Sequence, residues 1–500
     1  MKNLVLLVLL LFSIVMWQGW AMSRPELIPA DRYITGTVGG GAHHLTGYQK
    51  FFEYYKKLGL FPLAKDPQGR FVMELDDTFR MGDRAKIHLL KLSDLLTGSK
   101  NETPPIYTPA NRFFFVLALC TFFAGFWLAG ARFFAVASTL FLGSSSFQLY
   151  ETYVNNNVFS YPISHLLVQL GIHAVFLFQR PTRLHWKWLL LAVAGGVVAG
   201  SIRQIRADAL TAYLLIPGMY LFVARFGWSR RFLMSAASIG AFLITSGSWS
   251  SYFEHKFQES KSYVEANKGF VYTGPRASYH LFWHPLYCGL GDFDKTHGYQ
   301  WHDLLAYEYA LKILRKRPEY RNLWPSFSLD VPKNEPKGYF MDETFGSDGV
   351  YRMKLENVPD YEPIIKEKVL TDIAQEPFWY VSILLQRIEN SLKNTAGIQL
   401  RIPFINLNWD RPFIGVLFIL SLVLSVAFRN STRLWILIIS GSVLAPAILI
   451  TTVTRIQFYF VGHIFAFVFL LSAAVIATST WVRLNGIPRF NKLIKRKARA

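Results

Sequence analysis

The stretch FFFVLALCTFFAGFWLA, from Phe113 to Ala129, holds no charged residue, and after Gly130, Ala131 and Arg132 a second apolar run goes from Phe133 to Phe147. Each comes close to the roughly 20 apolar residues with which a helix crosses a bilayer. Working outward, the pattern recurs at Leu4–Trp20, Phe159–Phe178, Leu189–Gly200, Leu210–Ala224, Phe232–Trp249, Phe413–Phe428, Leu434–Thr451 and Phe458–Ala477. Leu189–Gly200 is the shortest and is glycine-rich. The chain therefore reads as an all-α polytopic membrane protein with about ten transmembrane helices.

Charge supports an alternating topology. With the N-terminus inside, the cytoplasmic pieces contain Lys2, Arg132, Arg180, Arg183, Lys187, Arg225, Arg230, Arg231, Arg429, Arg433 and the seven basic residues from Arg483 to Arg499. These are 17 of the 53 Lys and Arg residues, with no Asp or Glu among them, which leaves 36 basic against 33 acidic residues on the other face. Most of the formal +20 is thus a positive-inside signal rather than a nucleic-acid footprint, which would need a soluble basic face. The expected organisation is a first transmembrane helix (1–21), a first extracytoplasmic loop (22–112), helices two to seven (113–249), an extracytoplasmic domain (250–411), three last helices (412–481) and a basic cytoplasmic tail (482–500).

The first loop carries Leu45, Tyr48, Phe52 and Tyr55 at helical spacing, with Lys50, Glu53, Lys56 and Lys57 on the other faces. That is an amphipathic helix, lying on the outer leaflet or packing its stripe on a neighbour. In the second segment, Pro363 and Pro377 are placed to open helices. Cys120 and Cys288 fall in a span and an outer loop, so no internal disulfide is expected.

Outer-face arginines are the most informative polar residues. Arg203, Arg206 and Asp208 lie in the short turn Ser201–Ala209, and Arg455 precedes the last span beside Tyr459. An arginine at the edge of hydrocarbon costs a few kcal/mol unless it is paired, and a guanidinium suits a phosphate. Snorkelling to headgroups is the plain alternative, and for Arg206 a structural pair with Asp208. Candidate proton acceptors are Asp31, Asp76, Asp77 and the pair His43 and His44. His284, Asp292 and Asp303 sit in a stretch dense in Gly, aromatics and Asp, which suits either carbohydrate or a tightly turned core. His165 and His173 share one span, as structural histidines or a proton path. His43 and His44 are alternatively metal ligands, though adjacent positions are poor helical ligand spacing, and the residues identify neither a particular metal nor a cofactor.

In layout the chain resembles the GT-C superfamily of integral membrane glycosyltransferases, such as protein O-mannosyltransferases and aminoarabinose transferases. The resemblance rests on a first span followed by a large outer loop with an amphipathic helix (Leu45–Leu60), and on a Gly-rich span ending in Arg203 or Arg206 with Asp208. The Pro-led helix Glu376–Leu392 and the Arg455 to Tyr459 approach to the last span fit as well. That family places a catalytic Asp before its first outer helix; here His43 and His44 hold the place, and Asp31 is the nearest upstream acid. Leu4–Trp20 also fits a signal peptide ending near Ala21, but the resemblance implies a retained helix. It further implies a bacterial inner-membrane enzyme moving a sugar from a polyprenyl-phosphate-linked donor to an envelope glycan, lipid or protein acceptor. Membrane lipids would be partners and nucleic acid would not. The alternative functions are a transporter or flippase for an envelope lipid or glycan, and an assembly partner without chemistry.

Overall fold

The computed structural model describes residues 2–23, 40–65, 69–73, 84–98, 105–144, 146–153, 158, 160–179, 181–206, 210–222, 225–271, 282–300, 303–314, 316–318, 344–345, 351–352, 360–393, 398–402 and 405–409. These residues are mostly helical. The N-terminal helices are α1 (Lys2–Met22), α2 (Gly40–Leu58) and α3 (Lys86–Thr97), with strands β1 (Ala64–Lys65) and β2 (Phe71–Met73) between the last two. There follow α4 (Thr108–Leu128), α5 (Arg132–Ser144), α6 (Ser146–Tyr153), α7 (Tyr161–Gln179), α8 (Trp186–Ile202), α9 (Thr211–Phe222) and α10 (Trp228–Ala266). After β3 (Phe270–Val271) come α11 (Trp283–Leu290), α12 (Asp303–Leu314), β4 (Thr344–Phe345), β5 (Tyr351–Arg352), α13 (Tyr361–Gln375) and α14 (Pro377–Lys393), then β6 (Ile398–Ile402) and β7 (Ile405–Trp409).

Among the described residues α1, α4 and α10 are long and apolar enough to cross a membrane, and α5, α7 and α8 are shorter apolar helices. Each expected span as far as Trp249 coincides with a helix of one bundle; the three expected spans after Phe413 lie outside the described residues. The bundle core includes Phe115, Phe122, Phe126, Leu142, Leu167, Ala174, Ile216 and Met234. Two crossings depend on glycine. A Cβ on Gly125 of α4 would stand 1.9 Å from the Gly171 carbonyl oxygen of α7. A Cβ on Gly196 of α8 would stand 2.2 Å from the Ser238 carbonyl oxygen of α10, and one on Gly200 would stand 2.8 Å from Thr245 Cβ. Small residues allow such approach where lipid supplies no hydrophobic drive between helices. The outward faces expose Leu4, Phe12, Phe133, Leu190, Phe232, Leu243 and Ile244, an apolar belt of the kind lipid would cover.

At one end of the bundle, basic residues lie over aromatic rings: Arg132 over Trp127 (5.0 Å), Lys187 over Trp188 (4.6 Å) and Arg231 over Trp228 (4.8 Å). The other end carries a second core formed by Tyr48, Phe51, Phe61, Val72, Leu90, Tyr107, Tyr161, Phe253 and Val264. Helix α10 reaches both. Its 39 residues extend about 58 Å, against about 30 Å of hydrocarbon. Beside it β2 pairs antiparallel with β1 (Ala64 opposite Val72) and parallel with β3 (Val72 opposite Phe270). Tyr48 and Phe52 of α2 are buried in this cap, so the amphipathic helix of the first loop packs its stripe on neighbours rather than on lipid.

Helices α11 to α14 form a third core around Leu286, Tyr287, Tyr299, Tyr307, Ile365, Val369 and Ile383. Pro363 stands in the first turn of α13 and Pro377 opens α14, where the missing N–H costs nothing. The β6–β7 hairpin sets Ile398 opposite Trp409, Leu400 opposite Leu407 and Ile402 opposite Ile405. It packs against α5 and α6.

Candidate functional site

The turn after α8 is built by its own backbone. Arg203 N–H donates to Ala199 O, Gln204 N–H to Ser201 O and Arg206 N–H to Ile202 O. The Gln204 carbonyl then accepts the Ala85 N–H at 2.8 Å, which ties α3 to the turn. On the other side α10 passes close because Gly196 and Gly200 permit it. There the Arg203 guanidinium donates to Ser246 Oγ at 2.9 Å, and the Trp249 indole donates to Ser201 Oγ at 3.3 Å. Arg203 is exposed and Arg206 half-buried. A guanidinium offers five N–H donors, and the bond to Ser246 orients it while using one.

Beside this turn lies an open pocket of about 530 Å³ on the face of α10, lined by His88, Ile244, Thr245, Ser248, Trp249 and Tyr252. The His88 ring is enclosed by Tyr55, Trp249, Tyr252 and Phe253, with centroid separations of 5.6 to 5.7 Å. Its Nδ1 shares a hydrogen bond with Tyr55 Oη at 3.1 Å; its Nε2 is buried without a hydrogen-bond partner among the described residues. Burial, assisted by the charge of Lys91, pulls the His88 pKa down to about 4. The site thus combines an uncharged imidazole in an aromatic wall with a guanidinium at the adjoining turn.

The other candidates are dispersed. Asp31, Asp76, Asp77, Asp208, Arg455 and Tyr459 lie outside the described residues. His43 and His44 fall within α2, and Asp303 opens α12; the structure describes none of these three side chains. His284 and Asp292 belong to the third core, not to the pocket. His284 is buried and shares a hydrogen bond with Tyr361 Oη; its ring stacks on Tyr307 at 5.3 Å, and its Nε2 lies 3.7 Å from Cys288 Sγ. The Glu362 carboxylate accepts the Trp283 and His284 N–H groups at 3.3 and 3.4 Å, capping α11. Burial lowers the pKa of the Arg387 guanidinium, and the charge of Asp292 partly offsets this. These geometries suit a tightly turned core.

Two further groups fall into place. The Asp294 carboxylate accepts the N–H groups of Thr296, His297 and Tyr299 and the Trp379 indole. Burial pushes its pKa up, but these donors outweigh it and the net shift is downward. Within the bundle, His173 Nδ1–H donates to the Gln169 carbonyl and Nε2 accepts from Tyr220 Oη, both at 2.7 Å. Gln169 Nε2 donates to Gly195 O at 2.9 Å and lies 2.8 Å from His165 Nε2. Both nitrogens of His173 are satisfied in one neutral tautomer, as a structural histidine's would be.

His88 escaped the sequence reading because it sits among Ile87, Leu89 and Leu90, where a lone histidine reads as core. Its signal was position, a single imidazole within an apolar turn between the first two expected spans. Among the described residues no cluster of His, Cys, Asp and Glu has the makings of a metal site. Comparisons with protein-family models, curated proteins and solved structures find no match to this chain.

Proposed function

We propose that this chain is a GT-C-type glycosyltransferase of a bacterial inner membrane, with about ten spans and both termini cytoplasmic. It moves a sugar from a polyprenyl-phosphate-linked donor to an envelope acceptor on the periplasmic face. The observation that carries this reading is Arg203, held by Ser246 at the end of a bundle helix and beside an aromatic pocket. In the transfer, the acceptor oxygen bonds to the anomeric carbon while the bond from that carbon to the phosphate oxygen breaks, its electron pair leaving on the phosphate. Arg203 and Arg455 stabilise that charge where it develops. The acceptor proton goes to Asp31, or to His43 or His44 in its place.

The test uses the full chain in lipid nanodiscs with a labelled polyprenyl-phosphate sugar. Arg203→Ala removes a charge-assisted contact of about 1.5–3 kcal/mol, so donor binding and transfer fall about 10- to 150-fold. Arg203→Lys restores part of this, since it keeps the charge and loses the fork. Sugar transfer and donor binding unchanged in Arg203→Ala would return this arginine to a headgroup anchor.

A further inference from the structure

Helix α14 shows two opposed faces. Ile383 and Arg387 are buried, and Trp379 and Tyr380 are half-buried, on the side that packs into the third core. On the opposite side Phe378, Val381, Leu385 and Ile388 are 88%, 47%, 61% and 39% exposed. At 100° per residue these four fall within one sector of about 80°, directly across from Ile383 and Arg387. Water is a poor neighbour for four large apolar side chains in a row.

The chain connection at the end of the helix points to the cover. From Lys393 to Ile398 the chain takes five steps, a reach of at most about 18 Å. Strand β6, which starts at Ile398, packs against both α5 and α6. Helix α6 begins two residues after α5 ends, so a strand touching both lies at that end of the bundle. It is the end away from Arg132, the first residue of α5, whose guanidinium lies over Trp127. The end of α14 is thereby tethered close to the rim of the apolar belt, and a chain running on from β7 meets the apolar run from Phe413.

We infer that α14 lies in the bilayer interface, with Phe378, Val381, Leu385 and Ile388 inserted in the outer leaflet at the end of the bundle opposite Arg132. An interfacial helix has this form: an apolar stripe that enters about 5–10 Å among headgroups and upper acyl chains, and a polar or packed remainder. Ser382, Gln386 and Glu389 occupy the flank beside the stripe, where headgroups and water meet them. The third core is then anchored to the membrane at α14 as well as through its chain connections. The inference depends on the bundle being in a membrane and not on sugar transfer.

The experiment places an environment-sensitive fluorophore on single cysteines in the full chain with Cys120 and Cys288 replaced by serine. Labels at Phe378→Cys and, separately, Leu385→Cys are compared with one at Ser382→Cys in phosphatidylcholine–phosphatidylglycerol vesicles. Lipids carrying a quencher high on the acyl chain are expected to dim the first two labels several-fold more than the third, while aqueous iodide dims the third most. Equal iodide quenching at all three positions overturns the inference, because the stripe then faces water. Protection from both quenchers also overturns it, and crosslinking between Leu385→Cys copies would identify a second chain as the cover. Two separate stripe positions are used so that misfolding of one variant leaves the other to decide.

Discussion

The contact between α8 and α10 sets the position of Arg203, and Gly196→Ala tests it. The added Cβ would stand 2.2 Å from the Ser238 carbonyl oxygen and 2.9 Å from Ala241 Cβ. A carbonyl oxygen cannot rotate aside, so the helices must part by about 1 Å to reach ordinary contact distance. Overpacking of this kind costs about 1–3 kcal/mol, and a backbone obstacle points to the upper end. Replacing a helical glycine by alanine returns about 1 kcal/mol, for a net loss of about 2 kcal/mol. Gly240, on α10, is the internal control: a Cβ there meets nothing within 4 Å, so Gly240→Ala gains about 1 kcal/mol. The two substitutions are chemically identical and should differ by about 3 kcal/mol in denaturant- or heat-induced unfolding in one detergent. A parting of about 1 Å would also stretch the 2.9 Å Arg203–Ser246 bond past hydrogen-bonding range, so lipid-phosphate binding falls in Gly196→Ala alone. Equal stability of the two variants, or a more stable Gly196→Ala, would refute the packing argument.

His88 gives a pH test. Its folded pKa of about 4 lies below its ordinary 6.5, so the unfolded chain binds the proton more readily. The stability this confers is complete above about pH 6.5 and is lost as the pH falls from there through about 4, with an upper bound of about 3.5 kcal/mol. His88→Phe should show a shallower loss than the parent between those limits, and parallel curves would count against a buried neutral imidazole. Asp294→Ala strips the acceptor from three backbone amides and one indole, at about 1–3 kcal/mol. Faster hydrogen exchange at residues 294–299 and altered Trp379 fluorescence should accompany it, whereas unchanged exchange would deny the carboxylate its role. For topology, Lys268→Cys should react with an impermeant maleimide from outside intact cells and Lys497→Cys only after lysis; reaction of both from one side would end the alternating scheme.

Helix positions as far as Trp249 were legible without coordinates because hydropathy and length are local properties of the chain. Phe113–Ala129 is too long and too apolar to be anything but a buried or lipid-facing helix, and Pro377 announces the start of α14 by its missing N–H. Tertiary structure decided everything that depends on which faces meet. Tyr48 and Phe52 make the same stripe whether the partner is lipid or protein, and only the packing of α2 against the cap chose protein. His284 and Asp292 read equally as carbohydrate ligands or core, and only the fold sets Tyr361, Glu362 and Arg387 around them. His88 and Trp249 lie 161 positions apart in the chain, so their shared pocket exists only through the fold. It depends on Gly196 and Gly200, whose lack of a Cβ brings α10 against the turn that holds Arg203. Order along the chain dictates which segments must leave water; the closeness with which backbones can approach dictates which side chains then share a site.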